Sequence, residues 1–178
     1  MITRHDPSSP TPRDVFRHYL GDLVYGANDG IVTTFTVVSG VAGAALSPAV
    51  VIVLGVVNLL ADGFSMGASN FLAIRSSAAA EGDDRGRAEP LLHALATFGA
   101  FVTVGVVPIL SYLLPFAGAK AFPVSVATSA LTLFGVGAAR CWVTRKSQLR
   151  CGLEMLLVGT AAGLVAYAAG KVLGGLIH

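Results

Sequence analysis

Four long stretches of this chain carry no charged residue: 31–61, 99–119, 121–139 and 155–170. A helix crosses the hydrocarbon core of a bilayer with about 20 predominantly apolar residues, and each stretch approaches or exceeds that length. A helix at a protein–water boundary carries a charged or polar stripe along one face, and no charge is available here to make one. Composition agrees. Of the 178 residues 54% are hydrophobic and 12% charged, with a mean hydropathy of +0.72, whereas about a quarter of a soluble domain is charged. A disordered chain is excluded and a soluble domain disfavoured; the pattern predicts an all-α membrane protein.

Other classes fall away in turn. The net charge of +2 comes from twelve basic residues spread over separate connections, which form no nucleic-acid face. Residues 1–17 are polar and hold Pro7, Pro10 and Pro12, without the apolar core and small-residue cleavage site of a secretory signal. Insertion is therefore expected to use the first spanning helix. No nucleophile stands beside a base, and there is no glycine-rich phosphate loop or zinc quartet, so neither enzyme chemistry nor a resident cofactor is expected. Cys141 and Cys151 flank a basic connection, match no disulfide framework or zinc spacing, and are read as reduced packing residues.

The chain divides into a polar tail, 1–12, read as disordered, and one membrane domain, 13–178. From Arg13 to Val24, Val15, Phe16, Tyr19, Leu20, Leu23 and Val24 recur at helical spacing, with Asp14, Arg17 and His18 on the other side. That is the pattern of an amphipathic helix at a membrane interface. Five transmembrane helices follow, at about 23–46, 49–74, 93–114, 124–141 and 153–177, the first two separated only by Ser47-Pro48. Ten of the twelve lysines and arginines then share one side, in the tail and in the Arg75–Glu89 and Arg140–Arg150 connections, with only Lys120 and Lys171 opposite. The positive-inside rule makes the amino terminus cytosolic and the carboxyl terminus external. Glu81, Asp83, Asp84 and Glu89 alternate with Arg75, Arg85 and Arg87 and read as a solvated connector rather than a metal-gathering patch.

Ionisable groups inside membrane spans are costly and mark function by default. Three qualify: Asp29, Asp62 and Glu154. Glu154 has an ordinary alternative, an interfacial ion pair with Arg150 four residues earlier. Asp29 and Met66 gain weight from depth. Each lies 17 residues from the Ser47-Pro48 turn, counted from Leu46 and Ala49, which at 1.5 Å per residue puts both about 25 Å below the outer surface. Asn58, Asp62 and Met66 follow i, i+4, i+8 and make one stripe. A carboxylate with a thioether suits ferrous iron or manganese better than sodium or magnesium. One aspartate and one methionine cannot fill a coordination shell, so a twofold homodimer that doubles each ligand is expected. The GxxxG pairs Gly26/Gly30, Gly63/Gly67, Gly159/Gly163 and Gly170/Gly174 offer close helix approach, between chains or within one.

Val24-Tyr25-Gly26-Ala27-Asn28-Asp29-Gly30-Ile31-Val32-Thr33-Thr34, with Val38-Ser39-Gly40-Val41-Ala42-Gly43, resembles the first-helix signature of the vacuolar iron transporter family. Asn58-Leu59-Leu60-Ala61-Asp62-Gly63-Phe64-Ser65-Met66-Gly67 resembles its second-helix signature, and Gly152 to Gly159 with Ala166 to Gly170 its last helix. The resemblance implies a five-helix dimer that moves ferrous iron, and often manganese, out of the cytosol in exchange for protons. It also implies that Asp29 and Met66 line the path between subunits. Asp62 and Asn58 extend that path, and Asn28, Asn70 and Glu154 are accessory candidates. Two departures stand out. Where many members follow the Ser-Met-Gly motif with Gly-Glu-Tyr, this chain has Ser69-Asn70-Phe71, one carboxylate fewer at the cytosolic mouth. The long Glu- and Met-rich insertion after the second helix is reduced to Arg75–Glu89, making this a short form.

The function expected is divalent-metal export by proton antiport across a bacterial inner membrane, with lipid, metal ions, protons and a second copy as partners. The alternative is a non-transporting membrane protein, structural or a partner, derived from the same family.

Overall fold

The computed structural model describes residues 12–80, 89–114, 120–143 and 147–177, almost all of them helical. Six helices follow in order: α1 (Pro12–Gly43), α2 (Pro48–Ala80), α3 (Pro90–Gly105), α4 (Val107–Leu113), α5 (Ala121–Val143) and α6 (Gln148–Ile177). The first eleven residues of the tail lie outside the described residues, as do Glu81, Asp83, Asp84, Arg85, Arg87, Arg145 and Lys146.

Proline opens α2 and α3, as the first helical turn allows. The turn before α2 closes α1 with a paired cap. The Leu46 amide donates to the Val41 carbonyl at 3.2 Å and the Ala45 amide to Ala42 at 3.1 Å, with Ala45 left-handed at φ 56°. This is the Schellman pattern with alanine where glycine is usual.

Three expected boundaries change. The amphipathic segment and the first span are one continuous helix, α1. The second helix runs on to Ala80, so the first part of the expected connector is helical. The third span is broken: α3 and α4 meet at Val106 with a 41° bend. Pro108 supplies the reason, since it has no amide hydrogen and its ring crowds the carbonyl one turn back. Its own carbonyl accepts hydrogen bonds from the Ser111 and Ser125 hydroxyls, each at 2.8 Å, which ties the bend to α5.

α1 is the central element and packs on every other helix. It runs parallel to α3, with Gly26 against Thr97 and Gly30 against Phe101, and parallel to α6, with Phe35 at Gly163, Gly40 at Gly170 and Ala44 at Gly174. α2 runs antiparallel to α3–α4, with Gly67 at Ala94 and Gly55 at Ile109. The core follows this plan. Ile31, Leu133 and Met155 join α1, α5 and α6; Val38, Val41 and Val51 join α1 and α2; Leu59, Phe101 and Ile109 join α2, α3 and α4.

By length and apolarity α2, α5 and α6 can each cross a membrane, and α3–α4 is a fourth crossing when taken as one bent span. Large apolar side chains such as Leu131, Leu164, Val165 and Leu176 stand exposed on the outside, a surface that lipid covers and water does not. The protein is an all-α, multi-pass integral membrane protein.

One open reading of the sequence is resolved and one is corrected. All four GxxxG pairs are consumed within the protomer: a Cβ at Gly26 or Gly30 would strike α3 backbone, at Gly63 the Phe98 and Phe101 rings, and at Gly67 the Ala94 carbonyl. Gly159 and Gly163 seat Leu133 and Phe35, and Gly170 and Gly174 seat α1 backbone. None of these pairs is free for a subunit interface. Cys141 and Cys151 are also not separate thiols but form a disulfide, with Cα atoms 6.2 Å apart. The physical reason is the antiparallel α5–α6 hairpin, which brings the end of one helix against the start of the next. Sequence spacing alone does not reveal that juxtaposition.

Candidate metal cleft

Two stripes meet where α1 packs on α2. On α2, helical periodicity puts Asn58, Asp62, Met66 and Asn70 in one row, with Ser65, Ser69 and Ala73 beside it. On α1, Tyr25 and Asp29 are one turn apart. The stripes enclose an open cleft of about 440 Å³ lined by Tyr25, Asp29, Asp62, Ser65, Met66, Ser69, Asn70 and Ala73. Asp29 and Met66, expected at one level from residue counts, and Asp62, expected one turn along the same α2 stripe as Met66, line the same space.

Their neighbours fix them. The Asn58 amide donates to Asp62 Oδ2 at 2.9 Å, so Asn58 steadies the carboxylate without lining the cleft. Met66 packs against the Leu59–Phe101–Ile109 cluster, which holds its thioether at the cleft wall. Among the described residues neither Asp29 nor Asp62 is ion-paired with a cationic side chain. Two carboxylates and one thioether thus line the cleft together. Among the described residues no three histidines, cysteines, aspartates or glutamates converge closely enough to hold a metal by themselves.

The accessory candidates separate. Asn28 lies outside the cleft, its Oδ1 buried with no hydrogen-bond partner among the described residues. Glu154 is remote from the cleft: Arg150 Nε lies 3.3 Å from its Oε1 and Arg140 Nη2 3.8 Å from its Oε2. With its side chain half exposed, this is the interfacial ion pair of the ordinary reading.

Asn70 belongs to two sites. It lines the cleft, and its Nδ2 also donates to Asp22 Oδ1 at 2.7 Å and to the Thr97 hydroxyl at 2.8 Å. Asp22 Oδ2 holds His93 Nδ1 at 2.5 Å, and His93 Nε2 faces His18 Nε2 at 3.1 Å. The Tyr19 ring lies 5.0 Å from His18 and 4.7 Å from His93, and its hydroxyl donates to Glu89 Oε2 at 3.2 Å. A carboxylate at position 70 would meet Asp22 at hydrogen-bond distance, so asparagine is the complementary partner there. Sequence reasoning missed this cluster. Its one signal is the spacing of His18 and Asp22, a helical turn apart on the polar side of the amphipathic segment.

Comparison with known proteins agrees with this architecture. The family model described as "VIT family" matches residues 20–89 and 78–171. Over 55 residues the chain is 46% identical to a vacuolar iron transporter of Plasmodium berghei, covering 31% of this chain and 20% of that protein. Over 65 residues it is 48% identical to one of Toxoplasma gondii, covering 36% and 20%. These matches thus span about a fifth of each parasite protein. A longer alignment, 26% identical over 178 positions, joins it to vacuolar iron transporter homolog 2 of Oryza sativa and covers 90% of this chain and 93% of that one.

Proposed function

The chain belongs to the VIT family, and from that premise we propose that it carries a divalent transition metal, ferrous iron or manganese, through the Asp29–Asp62–Met66 cleft. The observation that supports this reading is the cleft itself, which gathers two carboxylates and a thioether from α1 and α2. Each carboxylate at membrane depth costs about 2.5–3.5 kcal/mol on the insertion scale, an expense a merely structural helix pair avoids.

The cleft opens on the outside of the protomer, where Tyr25, Asp29, Ser65 and Ser69 are exposed. Lipid cannot solvate these groups, so a second copy covers them. The twofold pairing sets two clefts face to face and doubles the ligand set. The uncovered side of α2, with Val53, Val57, Leu60 and Phe64 exposed, supplies apolar contact for that interface.

In this reading α1 is the fifth crossing, residues 13–178 are one transport domain, and the basic connections face the cytosol of a bacterial inner-membrane protein. Two carboxylates brought together at the axis repel unless a proton or a cation is held between them. That coupling favours exchange of protons for metal and export driven by the proton gradient.

The test is metal flux in inverted membrane vesicles under an imposed pH gradient. Asp29→Asn keeps shape and hydrogen-bonding capacity, so the protein assembles while metal-coupled flux is lost. Met66→Leu keeps volume and loses only a soft donor, so flux falls less and discrimination among metals weakens. Normal flux in assembled Asp29→Asn overturns the assignment. Wild-type protein that moves no metal under any gradient leaves the non-transporting partner as the function.

A further inference from the structure

The geometry points to a second divalent-metal site, outside the cleft, in which the Nε2 atoms of His18 and His93 coordinate an ion arriving from the cytosol. This inference rests on the reading that the chain carries such an ion, but it concerns capture at the mouth. Three features carry it.

The first is the approach of the two imidazoles. Their Nε2 atoms are 3.1 Å apart on rings inclined by 62°. With metal–nitrogen bonds of roughly 2.1 Å, a shared ion would subtend a nitrogen–metal–nitrogen angle of roughly 95°, the angle of adjacent ligands in an octahedral site. A proton bridging the pair is displaced by the ion.

The second is the partner of His93. Asp22 Oδ2 lies at hydrogen-bond distance from His93 Nδ1, which orients the ring and turns Nε2 toward His18. A carboxylate behind a metal-binding histidine is the arrangement that sets tautomer and raises ligand basicity. Asp22 is in turn held by the Asn70 amide at 2.7 Å, so the outer shell is itself anchored.

The third is position. His93 opens α3 beside the basic-side connection, His18 is exposed, and Glu89 stands next to the pair, held by Tyr19, to contribute negative charge. Asn70 touches both Asp22 and the cleft, so one side chain joins the site to the cleft. Two protein nitrogens with water in the remaining positions bind weakly enough to release the ion inward.

The site is tested with the purified full-length protein in lipid nanodiscs, titrated with Co²⁺ alone at pH 7.5 and followed by visible d–d absorption and by competition with Fe²⁺ under anaerobic conditions. The expected result is nitrogen-ligated Co²⁺ whose affinity falls at least tenfold in His18→Gln and in His93→Gln. Asp22→Asn lowers it about tenfold by loosening His93. Glu154→Gln, remote from both sites, is the control that leaves this signal unchanged; because the readout is nitrogen-ligated Co²⁺ and not flux, a failed flux assay does not touch the result, nor does a failed titration touch the cleft. His18 is exposed on the outer side of α1, so its substitution reports binding even where His93→Gln disturbs folding. Wild-type affinity in His18→Gln, or a signal lost in Asp29→Asn but not in His18→Gln, overturns the proposal.

Discussion

The contact between α1 and α3 is the most extensive in the bundle and backs the cleft-bearing stretch of α1, and Gly30→Ala probes it. A Cβ at position 30 would meet the carbonyl oxygen, Cα and carbonyl carbon of Phe101, all backbone and all at 3.0 Å or less, whereas ordinary contact begins at 3.4 Å. Backbone in a helix cannot swing aside as a side-chain tip does. α1 must therefore retreat by about 1 Å, and a gap of that size forfeits about a quarter to a half of each dispersion contact across the seam. Ile31, Thr97 and Phe101, all fully buried, lose most. Overpacking of this kind costs about 1–3 kcal/mol, and the immovable partner puts Gly30→Ala at the upper end. For a chain of this size that is a fall in melting temperature of about 6–12 °C. Gly99→Ala is the control: nothing lies within 4 Å of its Cβ position, so the added methyl only improves helix propensity, by about 0.5–1 kcal/mol. Thermal unfolding in detergent, read by loss of the monodisperse chromatographic peak, measures both. Flux falls with stability in Gly30→Ala, because Asp29 is the preceding residue and moves with the helix. A Gly30→Ala protein melting within 2 °C of wild type, or no lower than Gly99→Ala, would refute the backbone-contact argument.

Two further outcomes follow from single features. Glu154→Gln removes half-exposed ion pairs to Arg150 and Arg140, so vesicle flux stays close to wild type and stability changes by less than about 1 kcal/mol; flux as low as in Asp29→Asn would return Glu154 to the path. Ala45→Gly relieves a left-handed alanine in the α1–α2 turn and raises thermal stability by about 1 kcal/mol, whereas Ala45→Val lowers it; the reverse order in a melting assay would contradict the cap.

Much of the cleft was legible in the sequence because membrane depth is a ruler. Residue counts from a tight turn gave Asp29 and Met66 the same level, and helical spacing gave Asn58, Asp62 and Met66 one row. The mouth cluster was not legible. His18 and Asp22 lie more than 70 residues from His93, and near a helix end, outside the apolar stretch, a polar residue is cheap, so nothing marked them as costly. The glycine pairs were legible as close contacts but not as to partner, since spacing is the same whether the neighbouring helix belongs to one chain or two. The break in the third span was present in Pro108, yet a single proline in an apolar run does not state whether its helix bends or stops. The Cys141–Cys151 pairing depends on the direction in which α6 leaves α5, which is a property of packing.

The pairing of the first helix with the last imposes an order on biosynthesis. The outer half of α1 has its backbone partners on α6, where Gly40 meets Gly170 and Ala44 meets Gly174. About 130 residues of chain separate Gly40 from Gly170. At about 5–20 residues per second of translation, that small-residue face stands in lipid for about 6–26 s after it is made. During that interval α1 is held by the helices made before α6, with Val38 and Val41 already on Val51 of α2. Arrival of α6, rather than insertion of α1, is the event that closes the core, and nascent chains that stop short of it display an unfilled glycine groove to the membrane's quality-control proteases.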